Sequence, residues 1–183
     1  MELMQAMQAR RSCRKYKADC VPREVLEQIV AAGQTAPVGM RAYDSVHISV
    51  VTDSEALKQI SETAGAWGGR PADAVLYGVP ALIVVSAKDG DPTIPSRPED
   101  PLTGVGDMNA ACMVQNMLLA ATDLGLGSVF MFGKGLGLAD AHELRARIGI
   151  PEGFSARAAA AVGYPEDDSA PRANATPFGV DWI

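Results

Sequence analysis

The longest ordered pattern of apolar and polar positions runs from Asp107 to Gly135, and it predicts a helix followed by a strand. Asp107 is a suitable N-cap, and no proline or glycine interrupts the chain between it and Gly125. Apolar positions cover more than one face of this helix, which predicts that most of it is buried. Gly125 is placed to end the helix in the left-handed conformation. The apolar segment 128–132 then predicts a buried strand, which a Gly-Lys-Gly turn closes.

The same kind of pattern divides the remaining chain into further helices and strands. Helices are predicted over residues 2–9, 22–34, 53–64 and 139–148. Strands are predicted over residues 46–52, 80–86 and 154–163, and the continuous apolar run of 80–86 predicts a central position. Residues 65–78 predict a mobile loop or a broken helix, and residues 88–106 predict a surface loop. Since no repeat or linker interrupts this series, we expect one domain over residues 1–183.

Two interpretations of residues 107–135 stay open on the pattern alone. In the first, a core helix leads into a core strand and has no further role. In the second, the end of the strand and the glycine turn present backbone N–H groups to a flat ligand, because glycine permits such a close approach.

Composition and charge exclude several classes of protein. The chain has 183 residues, 48% hydrophobic residues and a formal net charge of −6, which is typical of a globular protein and unfavourable for general nucleic-acid binding. No apolar run is long enough for a membrane span, and the first residues do not form a signal peptide. Three cysteines without a paired framework favour the reducing cytoplasm. The two histidines lack metal-ligand spacing, so no metal site is predicted.

Positive charge is concentrated in one short stretch of this acidic chain. Its cationic residues are Arg10, Arg11, Arg14, Lys15 and Lys17. Arginine can bind phosphate oxygens in pairs, and Ser12 adds a hydroxyl donor, so the stretch suits one discrete anion such as a phosphate. A solvated basic helix end, favoured by the helix dipole, is the alternative interpretation of the same residues.

Four stretches resemble, in the same order, motifs of the FMN-dependent nitroreductase family. They are Arg10-Arg11-Ser12-Cys13-Arg14-Lys15-Tyr16, Ala36-Pro37, residues 115–121 with 124–128, and residues 149–153 followed by 162–165. The first is similar to the family's N-terminal Arg-Arg-Ser-x-Arg-x-Phe/Tyr box. Each motif alone is weak, but the ordered set is specific and covers nearly the whole chain.

The resemblance implies an α+β fold of three layers, with an antiparallel-dominated central sheet flanked by helices. It also implies an intertwined homodimer with two FMN sites at its interface. The implied FMN contacts are Arg10, Arg11, Ser12 and Arg14 at the phosphate and ring edge, Arg172 at the phosphate, Pro37, Val38 and Gly39 from the partner chain, and the backbone of Phe132 and Gly133 near the reactive flavin nitrogen. For the pyrimidine edge of the flavin, only Arg70 and Asp73 are candidates.

The activity that the resemblance implies is hydride transfer from NADH or NADPH, through FMN, to a small acceptor such as a nitroaromatic or a quinone. No side-chain acid or base is required for this chemistry. Two alternatives stay open: a flavin-binding dimer without efficient turnover, and an interaction protein whose basic N-terminus binds an acidic partner.

Overall fold

The computed structural model describes residues 1–89, 104–166 and 179–182. The helices are α1 (Leu3–Ala9), α2 (Arg23–Gln34), α3 (Ser54–Gly68), α4 (Asp73–Leu76), α5 (Val105–Asp123) and α6 (His142–Arg147). The strands are β1 (Val46–Val51), β2 (Ala81–Lys88), β3 (Gly127–Phe132) and β4 (Phe154–Gly163). Short 3-10 turns occupy Gly39–Arg41, Tyr43–Ser45 and Gly133–Leu136.

The four strands form one sheet in the order β1-β2-β4-β3, and every neighbouring pair is antiparallel. The central position of β2 explains its apolar run, since all of its residues except Lys88 are buried. A β-bulge interrupts the pairing of β2 with β4, where Val85 pairs with Ala158 and Ser86 pairs with Ala156. Arg157 is therefore the extra residue of the bulge, which changes the direction of its side chain.

Helices cover both faces of the sheet because alternate strand residues point to opposite sides. On one face, Leu82 belongs to the same core as Ile60 of α3. On the other face, Ile83 belongs to the core that includes Met117 of α5. The arrangement confirms the expected α+β fold with three layers.

The structure confirms most of the predicted elements but corrects two details. The strand predicted to be buried over 128–132 exposes Phe130 and Phe132, because β3 is an edge strand of the sheet. The start of the long helix also differs. Asp107 was expected to be its N-cap, but α5 begins at Val105 and its N-cap is Gly104. The carboxylate of Asp107 accepts a hydrogen bond from the Gly104 N–H at 3.3 Å. An acidic residue in the first turn thus provides an acceptor for a backbone N–H at the start of the helix. Gly125 follows the helix with φ of 76°, as predicted.

The sequence predicted either a mobile loop or a broken helix over residues 65–78. The structure shows a broken helix, since α3 continues to Gly68 and α4 follows after a short interruption. The predicted loop over 88–106 and the C-terminal tail lie mostly outside the described residues, and so does Arg172. No helix in the described part of the chain is long and apolar enough to cross a membrane.

Helices α1 and α5 contact each other and expose apolar side chains. In α1, Leu3, Met4 and Met7 are exposed, and the one buried residue of the helix is Ala6. One side of α5 is buried in the core, whereas Met108 and Cys112 lie on a side that is exposed. The prediction that α5 is mostly buried is therefore correct for one side of the helix.

Candidate functional site

The basic stretch, residues 10–17, is a strap that runs along the edge of the sheet. Arg10 ends helix α1, and the residues after it are not helical. The N–H of Cys13 donates to the Ser128 carbonyl at 2.9 Å, and the N–H of Lys17 donates to the Tyr164 carbonyl at 2.8 Å. Because these bonds fix the backbone, the basic strap is not a solvated helix end, which was the alternative interpretation of its charge.

The inner side of the basic strap is packed tightly against the sheet. Cys13 and Tyr16 are buried, and the Tyr16 hydroxyl donates to the Cys13 carbonyl at 2.8 Å. A Cβ atom at Gly127 would lie 2.6 Å from the Cys13 sulfur, so this strand position accommodates only glycine. Burial raises the pKa of Tyr16, and the neighbouring Cys13 raises it further, so the phenol stays neutral and donates its proton.

The outer side of the basic strap carries the side chains predicted to bind phosphate. Ser12 and Arg14 are exposed and Arg10 is half-buried. No hydrogen bond or ion pair joins these three side chains to another residue within the described ranges. The guanidinium of Arg14 lies 5.9 Å from the ring centroid of Tyr77, at the end of α4. Exposed donors that make no hydrogen bond to the protein can bind an anion without breaking an existing bond.

The second predicted wall of the site is the turn after β3. Phe132 is exposed and Gly133 is buried. The sequence suggested that glycine here allows a ligand to approach, but a Cβ at Gly133 would collide with the backbone of Ala156 and Arg157 in β4. Gly133 is therefore required by the close contact with β4. A Cβ added at Gly135, in the same turn, would meet open space.

Strand β3 connects the basic strap to the turn. Ser12 pairs with Ser128 near the start of the strand, and Phe132 lies at its end. Four residues of extended strand separate Ser128 from Phe132, which corresponds to about 13 Å. One edge of one strand thus places a cluster of cationic donors at one end and an exposed aromatic residue with a glycine turn at the other.

The third predicted group, Pro37, Val38 and Gly39, lies at the N-terminal part of α5. We refer to residues 37–42 as the Gly39 segment. The Gly39 N–H donates to the side-chain oxygen of Asn109 at 2.9 Å, and Pro37 is exposed. Sequence reasoning did not identify Asn109, although an asparagine among apolar residues of a core helix is a usable signal.

The remaining candidates are less connected to the basic strap. Arg70 and Asp73 are exposed, and the guanidinium of Arg70 makes a long hydrogen bond of 3.5 Å to the Ala74 carbonyl. Tyr77, which the sequence analysis did not identify, is the residue of this region that contacts the basic strap. His47 packs edge-on against Phe154, with ring centroids 6.5 Å apart. No cluster of potential metal ligands is present among the described residues.

Comparisons with known proteins identify the family of this chain. The sequence model of the Nitroreductase family matches residues 7–164, and the chain therefore belongs to that family. A protein of Archaeoglobus fulgidus, provisionally named as an NADH dehydrogenase/NAD(P)H nitroreductase, is 35% identical, with coverage of 91% of this chain and 87% of its own. An FMN reductase of Bacillus subtilis that uses NAD(P)H is 28% identical, over 92% of this chain and 68% of its own.

The fold is also similar to that of a nitroreductase of known structure. The crystal structure of a nitroreductase from Bacteroides fragilis with bound FMN has a TM-score of 0.77 and 26% identity. The alignment covers 100% of this chain and 98% of that chain. The part of the chain matched to the family includes the basic strap, the Gly39 segment and the turn after β3.

Proposed function

We propose that this member of the nitroreductase family is an FMN-dependent oxidoreductase that uses NADH or NADPH to reduce a small acceptor, such as a nitroaromatic or a quinone. The observation that carries the proposal is the position of Arg10, Ser12 and Arg14, whose side chains make no hydrogen bond or ion pair within the described ranges. They belong to the basic strap that pairs with β3, the strand that leads to Phe132 and Gly133. FMN, when bound, supplies the hydride chemistry. The chain supplies binding, orientation and access for two small molecules in turn.

The donors of the basic strap fit a terminal phosphate. Arg10 and Arg14 each carry a planar guanidinium that can donate in pairs to phosphate oxygens, and the Ser12 hydroxyl adds a neutral donor. Backbone pairing with β3 fixes the direction from which these groups reach the anion. The chain contains no Gly-x-Gly-x-x-Gly fingerprint for a dinucleotide, so the single cluster favours FMN over FAD.

The other walls of the site follow from the same arrangement. We assign the ring of the flavin to the end of β3, with the backbone of Phe132 and Gly133 near its reactive nitrogen. Arg11 and Arg172 are assigned to the phosphate, and Pro37, Val38 and Gly39 to the flavin of the partner chain. No side-chain acid or base takes part, since the reaction needs positioning and exclusion of water at the flavin face.

We also propose that the protein is a homodimer of one domain per chain, as its exposed apolar surface suggests. Leu3, Met4 and Met7 of α1 are exposed, and so are Val180 and Trp182 near the C-terminus, with 95% of Trp182 accessible. Apolar surface of this extent is typical of a protein–protein interface. Sedimentation of dilute protein should give twice the chain mass. A monomer that still carries flavin would contradict this assembly.

The cytoplasm is the proposed compartment. Cys13, Cys20 and Cys112 are all free thiols in the structure. Unpaired cysteines, two of them exposed, suit a reducing environment.

One purification tests the function directly. The protein should show flavin absorbance between the violet and the blue, and heating should release a cofactor that chromatography identifies as FMN. Addition of a nitroaromatic should accelerate the oxidation of NADH or NADPH. Release of FAD, or failure to bind flavin in excess FMN, would contradict the site. Bound FMN without turnover would identify the protein as a flavin-binding family member without efficient catalysis.

A further inference from the structure

The backbone of the Gly39 segment adopts a conformation that most residues avoid. Met40 and Arg41 both have φ of 58°, in the left-handed region, although neither is glycine. Two such residues in succession cost backbone energy, and they persist only where their surroundings determine the conformation. Both side chains are exposed, with Met40 75% accessible, so their own packing does not hold them there.

Helix α5 contacts this segment just before its two strained residues. Asn109 is buried, with 6% of its surface accessible, and its side-chain oxygen accepts the Gly39 N–H at 2.9 Å. Val105 lies one helical turn earlier on the same side of α5, and its Cγ1 would be 2.7 Å from a Cβ at Gly39. The remaining backbone bonds of the segment are local: Arg41 donates to Val38 and Ala42 donates to Gly39, both at 3.2 Å, and Ser45 donates to Ala42 at 3.0 Å. Among the described residues, Asn109 is therefore the polar anchor that connects the segment to a rigid element.

The start of α5 also touches the other wall of the site. The guanidinium of Arg157 lies 4.0 Å from the carboxylate of Asp107, two residues before Asn109. The backbone of the same Arg157 is in close contact with Gly133. The first turns of α5 thus have contacts with the Gly39 segment and, through Arg157, with the turn after β3.

We propose that Asn109 is a positioning residue of the flavin site. It holds the Gly39 N–H and thereby directs the strained Gly39 segment, with Met40 and Arg41 at its tip, towards the flavin of the partner chain. This inference rests on the proposed function, because the segment has a ligand to meet only if FMN is bound. The physical reason for an asparagine here is that a buried polar side chain on a core helix is costly unless it makes a specific bond.

The test compares two asparagines of the same helix. Asn116 lies two turns after Asn109, and its amide donates to the Ala32 carbonyl at 3.3 Å and to the Thr35 hydroxyl at 3.2 Å. Asn116→Ala therefore removes similar bonds to a different partner, at the end of α2. Asn109→Ala should weaken FMN binding to the apo protein roughly three- to tenfold. Asn116→Ala should leave FMN affinity within about twofold, even if its denaturation midpoint falls as far.

A conservative substitution separates positioning from general packing. Asn109→Asp retains an oxygen acceptor for the Gly39 N–H, so it should recover most of the affinity that Asn109→Ala loses. If Asn109→Ala loses no more affinity than Asn116→Ala, or if the aspartate variant folds and binds as weakly as the alanine variant, the positioning role is wrong. If the unsubstituted protein binds no FMN, the proposed function fails instead, so the two failures are distinguishable.

Mixed dimers test whether the segment acts on the partner's site. The informative dimer pairs an Arg14→Ala chain with an Asn109→Ala chain. If the Gly39 segment acts on the partner's site, one FMN site is affected by both substitutions and the other site by neither. FMN titration should then reveal half of the sites with unsubstituted affinity. If instead every site is weakened, with Arg14→Ala at one site and Asn109→Ala at the other, the segment serves its own chain and the proposal is overturned.

Discussion

The basic strap and the Gly39 segment hold their functional side chains in opposite ways. The backbone of the strap is fixed by hydrogen bonds to Ser128 and Tyr164 at the sheet. The side chains of Arg10, Ser12 and Arg14 make no hydrogen bond or ion pair in the described part of the chain. The backbone of the Gly39 segment has two consecutive residues at positive φ, and its polar anchor is the side chain of Asn109. One wall is thus built by regular strand pairing, and the other by strain that one side chain maintains.

The difference indicates which substitutions each wall tolerates. Backbone pairing does not depend on the identity of the outer residues, so the basic strap should keep its shape when Arg10 or Arg14 is replaced. A strained segment depends on its particular contacts, so the Gly39 segment should respond to changes on α5 that never touch the ligand. The predictions below test this contrast, from the largest expected effect to the smallest.

The largest effect is expected at Gly133, where the turn after β3 meets β4. Gly133→Ala places a Cβ against the backbone of Ala156 and Arg157, and neither can rotate away as a side chain would. Overpacking typically costs about 1–3 kcal/mol of folding free energy, and we expect a loss of about 3 kcal/mol or more here. We also expect the variant to lose FMN binding. Chemical denaturation and FMN titration measure the two effects.

Gly135→Ala is the matched control for that substitution. It lies in the same turn, but a Cβ added at Gly135 would have no other heavy atom within 4 Å beyond the adjacent residues. We expect the variant to fold and bind FMN nearly as the unsubstituted protein does. If both alanine variants behave alike, the contact with β4 is not what fixes the turn.

A smaller effect is expected from Tyr16→Phe, which removes one bond beneath the basic strap. The buried Cys13 carbonyl loses the hydroxyl that donates to it at 2.8 Å, so unfolding should become easier by about 1–3 kcal/mol. The FMN dissociation constant should change little, because the backbone pairs with β3 remain. A large loss of FMN affinity at full folding would show that the hydroxyl, and not the strand pairing, positions the strap.

Tyr16 also gives the protein a specific response to alkaline pH. Because burial raises the pKa of Tyr16 above its unfolded value, the folded state keeps a proton that the unfolded chain releases. This contribution to stability is complete below pH of about 10 and is lost as the pH rises further. The unsubstituted protein should therefore lose stability above pH 10 more steeply than Tyr16→Phe. Parallel slopes in the two denaturation profiles would contradict the assignment.

The smallest effect is expected from Met40→Gly in the Gly39 segment. Glycine adopts positive φ without the steric cost of a side chain but loses more entropy on folding, so we expect a net gain of less than about 1 kcal/mol. Ala42→Gly, two residues later at φ of −77°, is the control and should be destabilising. Thermal unfolding compares the two. An equal loss of stability in both would mean that Met40 carries no strain.

The sequence predicted the elements of the fold well because their signals are local. The apolar run of β2, the helix-ending Gly125 and the strand over 154–163 depend on hydrophobicity and on glycine conformation, which short segments specify. The start of α5 was misplaced because Asp107 is suitable both for an N-cap and for the first turn of a helix. The residues before Asp107 set the actual start of the helix, and the helix propensity of a single residue does not predict it.

The site was only partly predictable because its contacts join distant segments. The basic stretch was visible as charge, but its bonds to Ser128 and Tyr164 appear only in the folded chain. The role of Gly133 was attributed to a ligand, whereas the nearest atoms belong to β4. Asn109 and Tyr77 were missed, since each acquires its partner from a segment more than sixty positions away in the chain.

The most direct measurement is titration of FMN into the apo forms of three variants of the basic strap. A charge-assisted bond to a phosphate contributes roughly 1.5–3 kcal/mol, so Arg14→Ala and Arg10→Ala should each weaken FMN binding about ten- to a hundredfold. Lys17→Ala should change the affinity by less than about 1 kcal/mol, because Lys17 is exposed and lies outside the matched box. Equal affinities in all three variants would contradict the phosphate site, and with it the account of how this protein binds its flavin.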